Sequence, residues 1–165
     1  MAIDQDIRDT FRDAMRHVAA TVYAVTTRHE GSDHGILATA VSSLSFDPPS
    51  LLICINRAAS LHAPLFAEKV FAVNVLGLNN RDVAQHFASA GGADRFAVGE
   101  WERIEGVPVL TTAQSSFVCR TAHCHDFGTH SIFIGELIDA HHREDAAPLT
   151  WFDRDYIDIS AAPGR

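Results

Sequence analysis

The chain has 165 residues, 47% of them hydrophobic and 21% charged, with a formal net charge of −8 and an isoelectric point near 5.6. That length suits one domain over residues 1–165 with a sizeable core, and the acidic balance argues against an extended nucleic-acid surface while leaving room for a local phosphate pocket. No apolar run reaches the roughly 18 residues of a membrane span. Met1 to Arg16 is a charged helical stretch unlike a signal peptide. Cys54, Cys119 and Cys124 match no disulfide framework, so a cytoplasmic protein off the membrane is expected.

In chain order, Ile7, Phe11, Met15 and Val18 recur at helical spacing between Asp and Arg, which predicts an amphipathic N-terminal helix within residues 1–20 whose apolar stripe packs on the body or on a partner. Thr21 to Thr27 is β-branched and aromatic, and Glu30-Gly31-Ser32-Asp33 turns it back into a strand from Gly35, a hairpin. Gly35 to Asn56 reads as two buried strands broken at Asp47-Pro48-Pro49. Ser60 is placed to cap a helix from Leu61 to Glu68, with Pro64 in its first turn. Val70 to Leu76 is the next strand, and Asn80 is placed to cap a helix from Arg81 to Ser89.

Ala93 to Gly106 has no clean period and reads as a long loop carrying Arg95, Phe96 and Trp101. Ser115 to Cys124 and Ser131 to His141 form a second hairpin around Asp126-Phe127-Gly128-Thr129, and the tail ends in a short strand from Tyr156 to Ile159. Strands outnumber helices, and sequence neighbours are joined by turns or short helices. A mainly β protein follows, a closed or nearly closed antiparallel barrel with helices at its ends.

Neither a G-x-G-x-x-G fingerprint nor a P-loop occurs, so a nucleotide here needs another cradle. Thr39, Ala40, Ser42, Ser43 and Ser45 are too small to hide the main chain, and a flat polar ring could approach it there. The alternative is that small residues mark a crowded barrel strand. Asn56-Arg57 at the end of the paired strand and Ser60 at a helix start shift the balance, because hydroxyls, one guanidinium and a helix N-terminus together suit a phosphate.

On an unbroken strand, Cys119, His123 and His125 share one face and three metal ligands could converge. No C-x-x-C or H-x-x-x-H pair anchors such a site, and no metal is expected. Cys54, in an apolar run, reads as a small core hydrophobe. Trp151, Phe152 and Tyr156 either stack on a nucleotide ring or plug the barrel mouth.

Two motifs, G-x-x-A-T-A-x-S-S-L-S-x-D-P-P in residues 35–49 and G-T-H-S-I-F-I-G-E in residues 128–136, resemble the short-chain flavin reductases that serve two-component flavin-dependent monooxygenases, a flavin reductase-like, FMN-binding split-barrel family. The likeness runs from about Phe11 to Tyr156. It implies a Greek-key split barrel, a homodimer, non-covalent and exchangeable FAD or FMN, NADH as hydride donor, and reduced flavin released to a partner oxygenase. It also implies that Ala38, Thr39, Ala40 and Val41 offer main-chain groups to the isoalloxazine, and that Ser42, Ser43, Ser45, Asn56, Arg57 and Ser60 hold the ribityl chain and phosphate.

By the same resemblance His130, in the turn Gly128-Thr129-His130, faces the nicotinamide; apart from the resemblance, Arg95 and Phe96 in the irregular loop are candidates for contacting a second nucleotide, and Tyr156 in the tail is a further NADH candidate. That turn more usually reads Gly-Asp-His in the family, so Thr129 removes a carboxylate that could have oriented the histidine or a ribose hydroxyl. Two other readings use the same scaffold: a flavin-containing reductase of a corrinoid or ferric complex, and a non-enzymatic flavin-binding module.

Overall fold

A computed structural model describes residues 5–145 and 147–159. Helix α1 (Gln5–Arg16) leads into strands β1 (Ala20–Thr21), β2 (Tyr23–His29), β3 (Ser32–Ala38), β4 (Val41–Phe46) and β5 (Pro49–Asn56). Helix α2 (His62–Glu68), strand β6 (Val70–Val75), helix α3 (Arg81–Ser89) and strands β7 (Trp101–Ile104) and β8 (Val107–Leu110) follow. The long pair β9 (Ser115–Phe127) and β10 (His130–His142) and the short β11 (Leu149–Phe152) and β12 (Asp155–Asp158) complete it.

Seven strands form one antiparallel sheet in the order β3-β2-β6-β9-β10-β5-β4. Its two edge strands, β3 and β4, are consecutive in the chain and separated only by Thr39 and Ala40. Two residues reach about 10 Å at most, so the sheet must curl until its edges face each other. No ladder closes them, and the barrel is split along that seam. This is the mainly β split barrel expected.

The central strands are buried on both faces, which is why Phe71-Ala72-Val73-Asn74-Val75 is a continuous buried run rather than an alternating one. Phe71 and Val73 join Val25, Ile53, Leu65 and Phe133 in one core capped by α2. Ala24 and Leu76 join Val83, Phe87 and Leu110 in a second core under α3.

Several expectations are corrected here. Gly35 to Asn56 holds three strands, not two, because the chain breaks at Thr39-Ala40, and β4 is largely exposed rather than buried. The residues read as a loop, Ala93 to Gly106, carry most of a 3-10 turn over Gly92–Ala97 and the first strand and turn of the hairpin β7–β8, which turns at Glu105 and Gly106, both with positive φ of 52° and 84°. Buried polar side chains hold this hairpin to the sheet: Thr26 Oγ1 donates to the Pro108 carbonyl at 2.6 Å, and the Leu110 N–H donates to Asn74 Oδ1 at 2.9 Å.

Neither helix is capped as expected. Leu61, not Ser60, precedes α2 and makes no side-chain cap bond. Asn80 does precede α3, but its side chain accepts from the Gly77 N–H at 3.0 Å and donates to Thr112 at 2.9 Å.

Helix α1 buries none of its residues: Ile7, Phe11 and Met15 stay on the surface, as does Val18 just beyond it. Its end is tied down by Arg16, whose guanidinium reaches Asp153 at 2.8 Å while its carbonyl accepts from the Asp153 N–H at 2.9 Å. Among the described residues no helix is long and apolar enough to cross a membrane.

Candidate functional site at the barrel seam

The seam is where the small residues lie. Thr39 and Ala40 are exposed, and the Cys54 N–H donates to the Ala40 carbonyl at 3.0 Å, stitching the link to β5. Cys54 lies two residues from Asn56, and Asn56 is paired with His130 across β5 and β10. The link and the His130 turn flank β5 on opposite sides, so at about 3.3 Å per residue along the strand and about 4.8 Å per strand across it they lie about 12 Å apart.

Two cavities flank the link. One of about 280 Å³ is lined by Leu37, Ala38, Thr39, Trp151 and Tyr156. The other, about 380 Å³, is lined by Tyr23, Val41, Ser42, Ser43 and Ser45 together with Phe46. Ser45 is committed locally, since its hydroxyl accepts from the Asp47 N–H at 3.1 Å, whereas Ser42 and Ser43 are exposed. A β-bulge between Ser43 and Ser45 inserts Leu44, which is turned partly to solvent.

Tyr156 meets Trp151 edge-on with ring centroids 5.0 Å apart and carries the Arg81 guanidinium 5.8 Å from its ring centre. Burial pushes its phenol pKa up, and the Arg81 charge partly opposes this.

The expected nicotinamide turn is assembled from two strands. The Arg57 N–H donates to the Thr129 carbonyl at 3.0 Å, and its guanidinium donates to the Gly128 carbonyl at 2.7 Å. Thr129 Oγ1 lies 2.9 Å from His130 Nδ1, within hydrogen-bond reach of the ring. The Ala58 N–H donates to Asn56 Oδ1 at 2.9 Å, closing the bend after β5.

Ser60 and Arg95 meet elsewhere. Arg95 Nε donates to the Phe87 and Ala90 carbonyls at 3.1 and 3.0 Å, a guanidinium cap on the C-terminus of α3, and Nη1 reaches the Gly35 carbonyl at 2.6 Å and Ser60 Oγ at 3.3 Å. Its hydrogen bonds thus go to the protein's own α3, β3 and Ser60.

The cysteine and histidines of β9 do not converge. A register shift leaves Ala122 unpaired between Thr121 and His123, and this flips the alternation. Cys119 faces the core, and His123 and His125 face solvent. Cys119 is thus the fully buried thiol, pushed up to about 12 by burial, while Cys54 is only half-buried. Sequence reasoning also missed Asp126, Ser131 and His62, which are hydrogen-bonded behind the turn. Their partners are up to 69 residues apart, and no local signal marks them.

The fold of this chain is that of solved flavin reductases. The NADH:FAD oxidoreductase SgcE6 of Streptomyces globisporus superposes with a TM-score of 0.89 at 28% identity, covering 100% of this chain and 99% of that one. The flavin reductase PheA2 gives 0.84 at 28% identity over 96% and 99%. Residues 15–160 match the flavin reductase like domain, and the chain belongs to that family.

Among curated relatives, the FMN reductase (NADH) RutF of Stutzerimonas stutzeri is 37% identical over 94% of this chain and 91% of its own length. The reductase component of an FADH(2)-dependent resorcinol hydroxylase from a Rhizobium species is 36% identical over 96% and 90%.

Proposed function

We propose that the chain is an NADH-dependent flavin reductase that supplies reduced FAD or FMN to a partner flavin-dependent monooxygenase. The observation that carries this reading is the placement of the exposed Thr39-Ala40 link and the turn that holds His130 on the two flanks of β5, about 12 Å apart. A tricyclic ring held by one edge at the first extends toward the second, so that a nicotinamide held there meets its face, which is the positioning a hydride transfer requires. The relationship to a hydroxylase reductase component supports the partner.

The residues at the seam fit a flavin, since the main chain from Ala38 to Val41 is covered by nothing larger than a valine and exposed hydroxyls of Ser42 and Ser43 stand beside it. When bound, flavin supplies the electron-accepting ring, and nicotinamide supplies the hydride. The chain's own residues bind and orient. Main-chain groups at 38–41 hold the ring edge, and Ser42, Ser43, Ser45, Asn56, Arg57 and Ser60 serve the ribityl chain and phosphate. Gly128, Thr129 and His130 serve the nicotinamide and Tyr156 the rest of NADH, while Arg95, bonded to α3, β3 and Ser60, holds the framework beside them. His130 positions and moves no proton.

A second copy of the chain completes the assembly in this reading. The apolar stripe of Ile7, Phe11 and Met15 and the 94% exposed Phe46 are the kind of surface a homodimer covers. Three free cysteines suit the cytoplasm.

Titrating apoprotein with FAD and with FMN, then adding NADH anaerobically, tests the reading. Bleaching of the flavin absorbance at a catalytic rate is expected. Flavin binding without bleaching would leave only a binding module.

A further inference from the structure

Behind the Gly128-Thr129 turn lies a chain of side chains to which the reductase reading gives no task. Ser131, 0% exposed, donates its hydroxyl to Asp126 Oδ1 at 2.6 Å and lies 2.8 Å from His62 Nε2. A serine hydroxyl has one proton, and here it goes to the carboxylate. The contact with His62 therefore runs the other way, with Nε2–H donating to Ser131 Oγ. His62 is held in turn by Phe66, stacked at 6.4 Å, and by the edge of Phe133 at 5.7 Å.

At its other end the chain reaches the turn. Asp126 Oδ2 lies 3.7 Å from Arg57 Nη1, and Arg57 holds the Gly128 and Thr129 carbonyls through its guanidinium and main-chain N–H. Around these bonds the tip is exposed. Phe127 is 82% exposed, Thr129 and His130 lie open, and Gly128 takes a positive φ of 57°. The turn contributes no residue to the core, so its position is set by polar contacts from behind.

We propose that Ser131, with His62 and Asp126, is a positioning relay that ties α2 to the Gly128–His130 turn and so sets His130 for nicotinamide. The proposal rests on the reading of His130 given above. The relay works in two parts. Ser131, anchored to α2 through His62, directs the Asp126 carboxylate, and that carboxylate orients the guanidinium that clamps the turn. Removing the hydroxyl frees both Asp126 and His62, whereas changing Asp126 to Asn keeps an acceptor for Ser131 and removes only the charge facing Arg57.

Steady-state kinetics with saturating flavin test this on S131A, D126N, H130A and the S131A/H130A pair, alongside flavin affinity and thermal melts. S131A is expected to raise KM for NADH about tenfold, the scale of one lost charge-assisted contact, at flavin concentrations that saturate each variant, since Arg57 also serves the flavin phosphate. D126N is expected to raise KM by a smaller factor. S131A added to H130A should change nothing further, because the relay acts only through that histidine.

A wild-type KM in S131A and D126N, with KM raised in H130A, overturns the relay and leaves the role of His130 standing. A wild-type KM in H130A overturns that role and the relay with it. A full tenfold effect of S131A on top of H130A also overturns the relay, since it would show a structural effect independent of His130. Should S131A fail to fold, D126N, which keeps the buried hydrogen bond, decides the matter on the same criteria.

Discussion

The Cys54 N–H donates to the carbonyl of Ala40 at 3.0 Å, which extends the β4–β5 pairing past the start of β4 and holds the link between the two edge strands of the barrel onto β5. The Ala40 side chain is exposed, so added bulk there covers main chain without entering the core. Ala40→Leu should leave stability within about 0.5 kcal/mol and raise the Kd for FMN and FAD about tenfold or more by blocking approach to the seam. Quenching of flavin fluorescence on titration measures it. An unchanged Kd would move the flavin away from this link.

Asp33 joins β3 to the β7–β8 hairpin. Arg103 grips it with two bonds of 2.8 and 3.0 Å, and Arg28 adds a third of 2.9 Å. Burial pushes its carboxyl up, but the hydrogen bonds from Arg103 and Arg28 prevail and hold it below its ordinary value. A lowered folded-state pKa stabilises the fold fully above the unfolded value, near 4, and that contribution fades as pH falls through the folded one. Asp33→Asn should cost about 1–2 kcal/mol at pH 7, with the gap to wild type narrowing below about pH 4. Urea melts at pH 7 and at pH 3 check this, and a gap of constant size would assign the loss to packing.

Gly135 lies where β10 passes over the core. A Cβ there would stand 2.6 Å from Phe71 Cζ and 2.8 Å from Cys119 Cβ, both on fully buried residues. Gly135→Ala should therefore cost about 1–3 kcal/mol through overpacking. The expected signature is a lower denaturation midpoint with an unchanged slope. Adding Phe71→Leu should recover part of the loss.

Cys119 provides a chemical check on the core. With its thiol pushed up to about 12 by burial, its thiolate fraction at pH 8 is about one in ten thousand. Iodoacetamide should leave Cys119 unmodified in the native protein and label it in urea, as read by peptide mass spectrometry. Native labelling at the denatured rate would mean that the barrel opens readily.

Much of the barrel was legible along the chain, because alternation and turn chemistry are local. The hairpins β2–β3 and β9–β10 fall where β-branched runs meet Glu30-Gly31 and Gly128-Thr129. The β7–β8 hairpin was not, because Pro108 interrupts its pattern and its supports, Thr26 and Asn74, lie 82 residues from Pro108 and 36 from Leu110. The bulge at Ala122 was equally silent, yet it sends Cys119 and His123 to opposite faces.

For the site, composition and motif marked the small residues at 38–45 and the histidine at 130 as the chemistry-bearing stretches. Only the tertiary structure decided that β5 brings them within a few residues of each other, that Arg57 and Arg95 spend their hydrogen bonds on the protein's own carbonyls, and that His62 stands behind the turn. The physical reason is one of range. Local preferences act over a turn or a strand, whereas those contacts join residues about 60 to 71 positions apart, and which side chains meet is set by how the sheet curls.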